Sequence, residues 1–246
     1  MNDFIKIIKE RVSIRDYEPN KKISQNQMTS LVAVVNNAPT SINGHYFGVV
    51  FIQDPKILAF LARKGRFQES IKNASVFAVF FIENTQLEAM QKKNNKTITA
   101  NRINLFTTGV VDATIAATQL QDAAVSMGLG TCFIGSVRSY PNILLEKLNL
   151  PKGNIPIIGL TIGFKKSQEE LKPKMNKVYF EKYDSLSAIK EINNYDIIFS
   201  KYHLERTNNK KDVVFSDSVI NFYKNNTWDL DWNNLVDDYY FKKNKE

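Results

Sequence analysis

Two arginines fall within five residues of each other in a chain that has only seven. In Arg11-Val12-Ser13-Ile14-Arg15, an extended backbone sends alternate side chains to opposite sides. Arg11, Ser13 and Arg15 then share one face, while Val12 and Ile14 point to a core. Two guanidinium forks flanking a hydroxyl suit a phosphate, because each fork donates in bidentate geometry and the serine adds a third donor. Taken alone, the pattern equally describes a solvated strand edge with basic residues. A second polar stretch, Ala38-Pro39-Thr40-Ser41-Ile42-Asn43-Gly44-His45, offers donors and acceptors of several geometries, or is simply a loop. In a third, Gly128 to Arg138, three glycines let the backbone approach a flat ligand and Ser136 or Arg138 can cap the next element. Its plainer reading is a helix C-cap and a tight turn.

These stretches need elements to position them. Ile5 to Glu10 reads as the end of a short helix. Ser24-Gln25-Asn26-Gln27 has the form of a capping box, and Met28, Leu31, Val32 and Val35 follow helical spacing until Pro39. Gly48–Ile52 and Val76–Ile82 are short, β-branched and aromatic runs that predict buried strands. Leu105 to Met127, rich in alanine and without proline, predicts the longest helix, closed by Gly128 in a left-handed C-cap. It is apolar nearly all round, which places it in the core or at a subunit interface. Ile155 to Phe164 predicts a further strand. The order of elements implies an α+β sandwich, with helices on the faces of a central sheet. No composition break marks a boundary, so residues 1–246 read as one domain with a C-terminal extension from about residue 200.

Composition narrows the classes. The 246 residues are 43% hydrophobic and 24% charged, ordinary for a globular protein, and no apolar run approaches the length of a membrane span. Met1 to Glu10 lacks the pattern of a secretory signal, so a cytoplasmic protein is expected. Cys132 has no partner for an intrachain disulfide, and His45 and His203 are too far apart in sequence to suggest a metal cluster. Cys132 reads as a small core residue, and His203, beside Tyr202 on a helix, as a surface or interface residue. Trp228, Trp232, Tyr239 and Tyr240 read as packing an extension onto a neighbouring surface. The net charge of +8 fits either a nucleic-acid surface or a site for small anions on a lysine-rich protein.

Taken in order, the Arg-x-Ser-x-Arg motif, Ala38-Pro39-Thr40-Ser41, Gly128-Leu129-Gly130-Thr131-Cys132-Phe133-Ile134-Gly135 and Ile158-Gly159-Leu160-Thr161-Ile162-Gly163 resemble the flavin-dependent nitroreductase family. Leu171-Lys172-Pro173-Lys174 and the segment Arg206 to Asp212 are similar to its NADPH-linked branch, the group A oxygen-insensitive nitroreductases and related flavin reductases. The resemblance implies a nitroreductase-like sandwich with a mainly antiparallel sheet, forming an intertwined homodimer with FMN at the subunit boundary. It implies Arg11, Ser13, Arg15, Lys172 and Lys174 around the FMN phosphate and ribityl chain. Thr40, Ser41, Asn43, His45 and Gln68 would edge the flavin, with Phe133, Ile134 and Gly135 against the ring. Arg206, Lys210 and Lys211 would meet the extra phosphate of NADPH. Lys174 stands where the family has arginine, His45 where it has glutamine, and Ser136 where a second glycine is common.

No triad or acid-base pair is evident, as expected when a cofactor carries the reaction. The implied function is a ping-pong, two-electron transfer from NADPH to nitroaromatics, quinones or free flavin. An FMN or disulfide reductase with a different acceptor is the competing enzyme reading; a flavin store without turnover, which would bind FMN yet ignore NADPH, is a competing reading of another class. A nucleic-acid-binding protein is the non-enzyme alternative, but the basic residues are dispersed and no nucleic-acid-reading motif is present, so neither nucleic acid nor membrane is an expected partner.

Overall fold

A computed structural model of the chain describes residues 3–64, 70–224 and 230–241. They form two compact units, one drawn from 1–169 and 228–246, the other from 170–227.

The first unit is built on a four-stranded antiparallel sheet. Its strands are β1 (Phe47–Ile52), β2 (Val76–Ile82), β3 (Gly130–Ile134) and β4 (Ile155–Gly163), in the order β1-β2-β4-β3. Strand β2 is central and buried at every position. Its alternation divides the core in two. Val76, Ala78, Phe80 and Ile82 face a cluster with α2 (Gln25–Asn36) and α6 (Arg102–Ser126). Phe77 and Val79 face a second cluster with Leu58 and Leu61 of α3 (Pro55–Lys64), Ile71 of α4 (Ser70–Asn73) and Leu144 of α7 (Pro141–Lys147). Helices α1 (Asp3–Glu10) and α5 (Asn84–Asn94) complete this part. The sheet covered by helices on both faces is the architecture predicted. Strand β1, an edge, is only half-buried apart from Ile52, so its expected full burial does not hold.

Local signals explain the ends. The Ser24 hydroxyl accepts from Gln27 N at 3.3 Å and Gln27 Oε1 accepts from Ser24 N at 3.0 Å, completing the capping box. Met28, Leu31 and Val35 are buried, but Val32 is 38% exposed and leaves the predicted core face. Gly128 closes α6 at φ +78°, and Leu129 N donates to Ala124 O at 3.1 Å, the left-handed C-cap expected. Only one side of α6 is buried. Val111 and Ile115 on the other side are 47% and 36% exposed.

Helix α8 (Ser185–Glu205) and helix α9 (Phe215–Lys224) form the second unit, with Tyr195 and Phe199 of α8 packed edge-on against Phe215. Helix α10 (Leu230–Val236) and the π-turn Asp237–Phe241 return to the first unit. There Val236 and Tyr240 enter the α6-side core, Trp232 Nε1 donates to Pro156 O at 2.8 Å, and the Tyr240 hydroxyl is 2.9 Å from that of Tyr46. Trp232, Tyr239 and Tyr240 thus pack as predicted, while Trp228 lies outside the described residues. Among the described residues no helix is long and apolar enough to cross a membrane.

Candidate functional site

The 11–15 segment is fastened to the outer edge of β3. Ser13 bridges Thr131 in parallel, and Ile14 N donates to Thr131 O at 2.9 Å. Ile14 is 2% exposed and packs with Val12, Tyr17 and Ala74, so Arg11, Ser13 and Arg15 fall on the opposite side, as the alternation requires. The fully buried Tyr17 locks the far end, its hydroxyl donating to Ile14 O at 2.7 Å and lying 2.9 Å from the Thr161 hydroxyl. Burial holds that phenol well above its ordinary pKa. Gly130 permits the close approach, since a Cβ there would stand 2.9 Å from Ile14 Cβ. Cys132 is 1% exposed, a core residue as expected. Burial raises its thiol pKa, opposed by Arg15, by a hydrogen bond with Ser13 and by Arg11. Those three groups therefore converge on the start of β3.

The other end of β3 is bare. Gly135 is exposed, and among the described residues a Cβ there would meet only the Arg138 guanidinium, at 3.5 Å, while Arg138 itself donates to Ile157 O at 2.9 Å. The Ser136 hydroxyl is buried and has no hydrogen-bond partner among the described residues, a state that costs about 1–3 kcal/mol unless a ligand relieves it. From Thr131 to Gly135 the strand advances roughly 13 Å. Cationic donors at one end, and open backbone with an orphan hydroxyl at the other, fit an elongated molecule with an anionic head and a flat ring. Phe133 is half-buried and faces the α6-side cluster, but Ile134 is wholly buried in the opposite one. Only the backbone of Ile134 is left to serve such a ligand.

Thr40 to His45 form a tight turn before β1, with Ile42, Asn43 and His45 at φ 51°, 55° and 51°. Left-handed backbone is costly for residues other than glycine, most of all for a β-branched one. Something must impose it. Asp112 on α6, 1% exposed, accepts from Ser41 N at 3.0 Å and from Tyr46 N at 3.3 Å, gripping both ends of the turn. The Thr40 hydroxyl accepts from His45 N at 3.2 Å. Ser41, Asn43 and His45 remain exposed, and Ile42 is 98% exposed. Asp112 and Asp122 are the two acids of α6, and nothing in their sequence context marks Asp112 as the one that clamps the turn.

Register separates the two groups. Ser13 sits beside Thr131, which pairs with Ile162, itself opposite Val76. The turn leads into Phe47, opposite Ile82 at the other end of β2, on the far edge of the sheet. Helix α6 repeats the separation: Arg11 acts on the carboxyl of Asp122, whereas Asp112 holds the turn. Those aspartates are ten positions apart along the helix, about 15 Å. Within one chain, the Arg11–Arg15 face and the Thr40–His45 turn are not brought together. Gln68 lies outside the described residues.

In the second unit, Lys172 and Lys174 are exposed on a segment without regular structure, and Tyr195 OH donates to Pro173 O between them at 2.8 Å. The chain after α8 turns back, with Asn209 at φ 53° and Lys211 N donating to His203 O at 3.0 Å. His203 is 9% exposed rather than a surface residue, because its ring packs 4.4 Å from Phe199 and 5.1 Å from Tyr202. Burial first, then Arg206, Lys172 and Lys211, push its pKa down. Those three cations, two of them from the set expected at the nucleotide, therefore gather round one imidazole. Lys210 is exposed beside them in sequence.

The sequence model of the nitroreductase family matches residues 8–164. The chain belongs to the nitroreductase family. It is similar to the FMN reductase (NAD(P)H) of Bacillus subtilis, 32% identical over 232 residues that cover 91% of this chain and 92% of that one. It is also similar to the NADPH-flavin oxidoreductase of Vibrio harveyi, 28% identical over 222 residues covering 89% and 90%. Among solved structures, the hypothetical oxidoreductase YcnD from Bacillus subtilis superposes with a TM-score of 0.91 at 30% identity, over 98% of this chain and 99% of the other. The nitroreductase sandwich implied by the motifs is thus the fold observed, and in this family member it extends well beyond residue 164.

Proposed function

We propose that this nitroreductase-family protein is an FMN-dependent NAD(P)H oxidoreductase, which takes two electrons from NADPH and passes them in a ping-pong cycle to nitroaromatics, quinones or free flavin. The observation that carries the reading is the Arg11-Ser13-Arg15 face pinned to one end of β3, with the exposed Gly135 backbone and the orphan Ser136 hydroxyl at the other. FMN held there would supply the redox chemistry, the two-electron relay between nucleotide and acceptor. Arg11 and Arg15 hold the phosphate by charge-assisted hydrogen bonds, and Ser13 donates a third. Phe133 and the backbone of Ile134 and Gly135 orient the ring, and the Ser136 hydroxyl adds a donor at its edge. Lys172 and Lys174 stay in the reading as phosphate-side cations, and Arg206, Lys210 and Lys211 as donors to the extra phosphate of NADPH.

The separated Thr40–His45 turn supports a homodimer. A second copy is the source of Thr40, Ser41, Asn43 and His45 for each ring edge, and the exposed Val111 and Ile115 of α6 are the apolar surface on which the copies meet. We read residues 1–246 as a single functional FMN-binding domain, working in the cytoplasm. Purified protein should show flavin absorption that bleaches on adding NADPH without oxygen. A colourless protein that neither takes up FMN nor oxidises NADPH would defeat the proposal and return the +8 charge to the nucleic-acid alternative.

A further inference from the structure

We infer that His203 is a positioning residue, aiming the guanidinium of Arg206 at the phosphate that distinguishes NADPH from NADH. The inference rests on the proposed role of Arg206 at that phosphate and concerns a residue to which the proposed function gives no part.

Arg206 NH1 lies 3.3 Å from His203 Nδ1. A guanidinium only donates, so Nδ1 is the acceptor and the imidazole is neutral, with its proton on Nε2. The ring has little freedom to turn, since Phe199 packs on it at 4.4 Å and Tyr202 stands edge-on at 5.1 Å. A second bond, Arg206 Nε to Asn208 O, holds the other side of the fork. Two of the five N–H donors are spent on orientation, leaving three for a phosphate.

Burial first, and then the surrounding charges, keep the acceptor neutral. Beyond the end of α8 stands Arg206, from the returning turn comes Lys211, and from the segment before α8 comes Lys172, all cations bearing on the ring. The nearby carboxyl, Glu170, accepts from Thr207 N at 2.9 Å, and its pKa is lowered first by its bonds with Thr207 and then by the charge of Arg206 and a bond with Tyr202, so it bears on the guanidinium and not on the ring. Neutrality lets Nδ1 accept, and the three cations that enforce it are those an anion would meet. Without the imidazole, the guanidinium loses its fixed direction but not its charge.

The test uses the FMN-loaded enzyme and measures KM for NADPH and for NADH in His203→Ala, His203→Asn, His203→Gln and Arg206→Ala, with flavin content as the check on folding. His203→Ala should raise the KM ratio of NADPH to NADH by about tenfold, the loss of one oriented hydrogen bond, with kcat at saturating NADPH kept. Asparagine places its Oδ1 near the former Nδ1 and should restore the ratio to within about twofold, whereas glutamine, whose acceptor falls near Nε2, should not. If His203→Ala fails to fold, the asparagine and glutamine pair decides alone. Equal effects on both nucleotides, no effect, or equal ratios for asparagine and glutamine would overturn the inference. An unchanged ratio in Arg206→Ala would instead overturn the assignment of Arg206 itself.

Discussion

Replacing Asp112 by alanine tests whether a buried carboxylate shapes the Thr40–His45 turn. Two backbone donors, Ser41 N and Tyr46 N, end on it at 3.0 and 3.3 Å, and the side chain is 1% exposed. Hydrogen bonds to a charged group contribute about 1.5–3 kcal/mol each. The turn relaxes once freed, because its left-handed residues cost roughly 1–2 kcal/mol apiece, and part of the loss returns. A net destabilisation of about 3–4 kcal/mol is expected, read as a lower urea midpoint at constant slope. In a domain of this size that lowers Tm by about 6–16 °C. Asp112→Asn keeps one acceptor but sets an amide N–H against the second donor, so it should fall between the wild type and alanine. A loss below about 1 kcal/mol for Asp112→Ala would show that the turn holds its own conformation. Asparagine matching the wild type would refute the two-donor account.

Arg15→Ala should weaken FMN binding by about tenfold to a hundredfold, from the loss of one charge-assisted pair; fluorescence titration giving unchanged affinity would sink the phosphate assignment. Ile115→Glu puts a charge on the exposed stripe of α6 and should yield monomers in light scattering that retain little flavin; a flavin-loaded dimer would remove that stripe from the interface. His203, whose pKa is lowered on folding, binds fewer protons folded than unfolded, so its contribution is complete above the ordinary value of 6.5 and is lost as pH falls below it. The slope of stability against pH below 6.5 should therefore be shallower in His203→Asn, and identical slopes would show that the imidazole titrates alike in both states.

The elements legible in the sequence were those set by local rules. Val76–Ile82 is wholly buried and apolar, Ser24 and Gln27 cap each other, and Gly128 has no Cβ to obstruct its positive φ. Strand β3 escaped notice because the glycines on either side of Thr131-Cys132-Phe133-Ile134 suggested a turn, and its status as a strand depends on pairing with β4, some 25 residues later. The Arg11-Ser13-Arg15 face followed from alternation alone, although what it lies against did not. The burial of His203 depends on Phe199 one turn earlier and on a backbone bond from Lys211, and its partner Arg206 was assigned to a ligand. Asp112 needed the turn, 71 residues away at Ser41, to become intelligible.

The return of residues 230–241 to the first unit bears on the order in which the protein can fold. Val236 and Tyr240 belong to the same core as Phe80 and Leu120, and Tyr46, Asn84 and Tyr240 share one buried polar network. Between that core's other members and these residues the chain makes the whole second unit. On a ribosome, the sheet and α6 therefore emerge with a gap in their packing and wait for some sixty further residues before it closes. The loop to be closed is long but entropically cheap, since closure cost grows only with the logarithm of length. What the arrangement lengthens is the interval during which Phe106 and its neighbours stand uncovered, a window for chaperones and for aggregation alike.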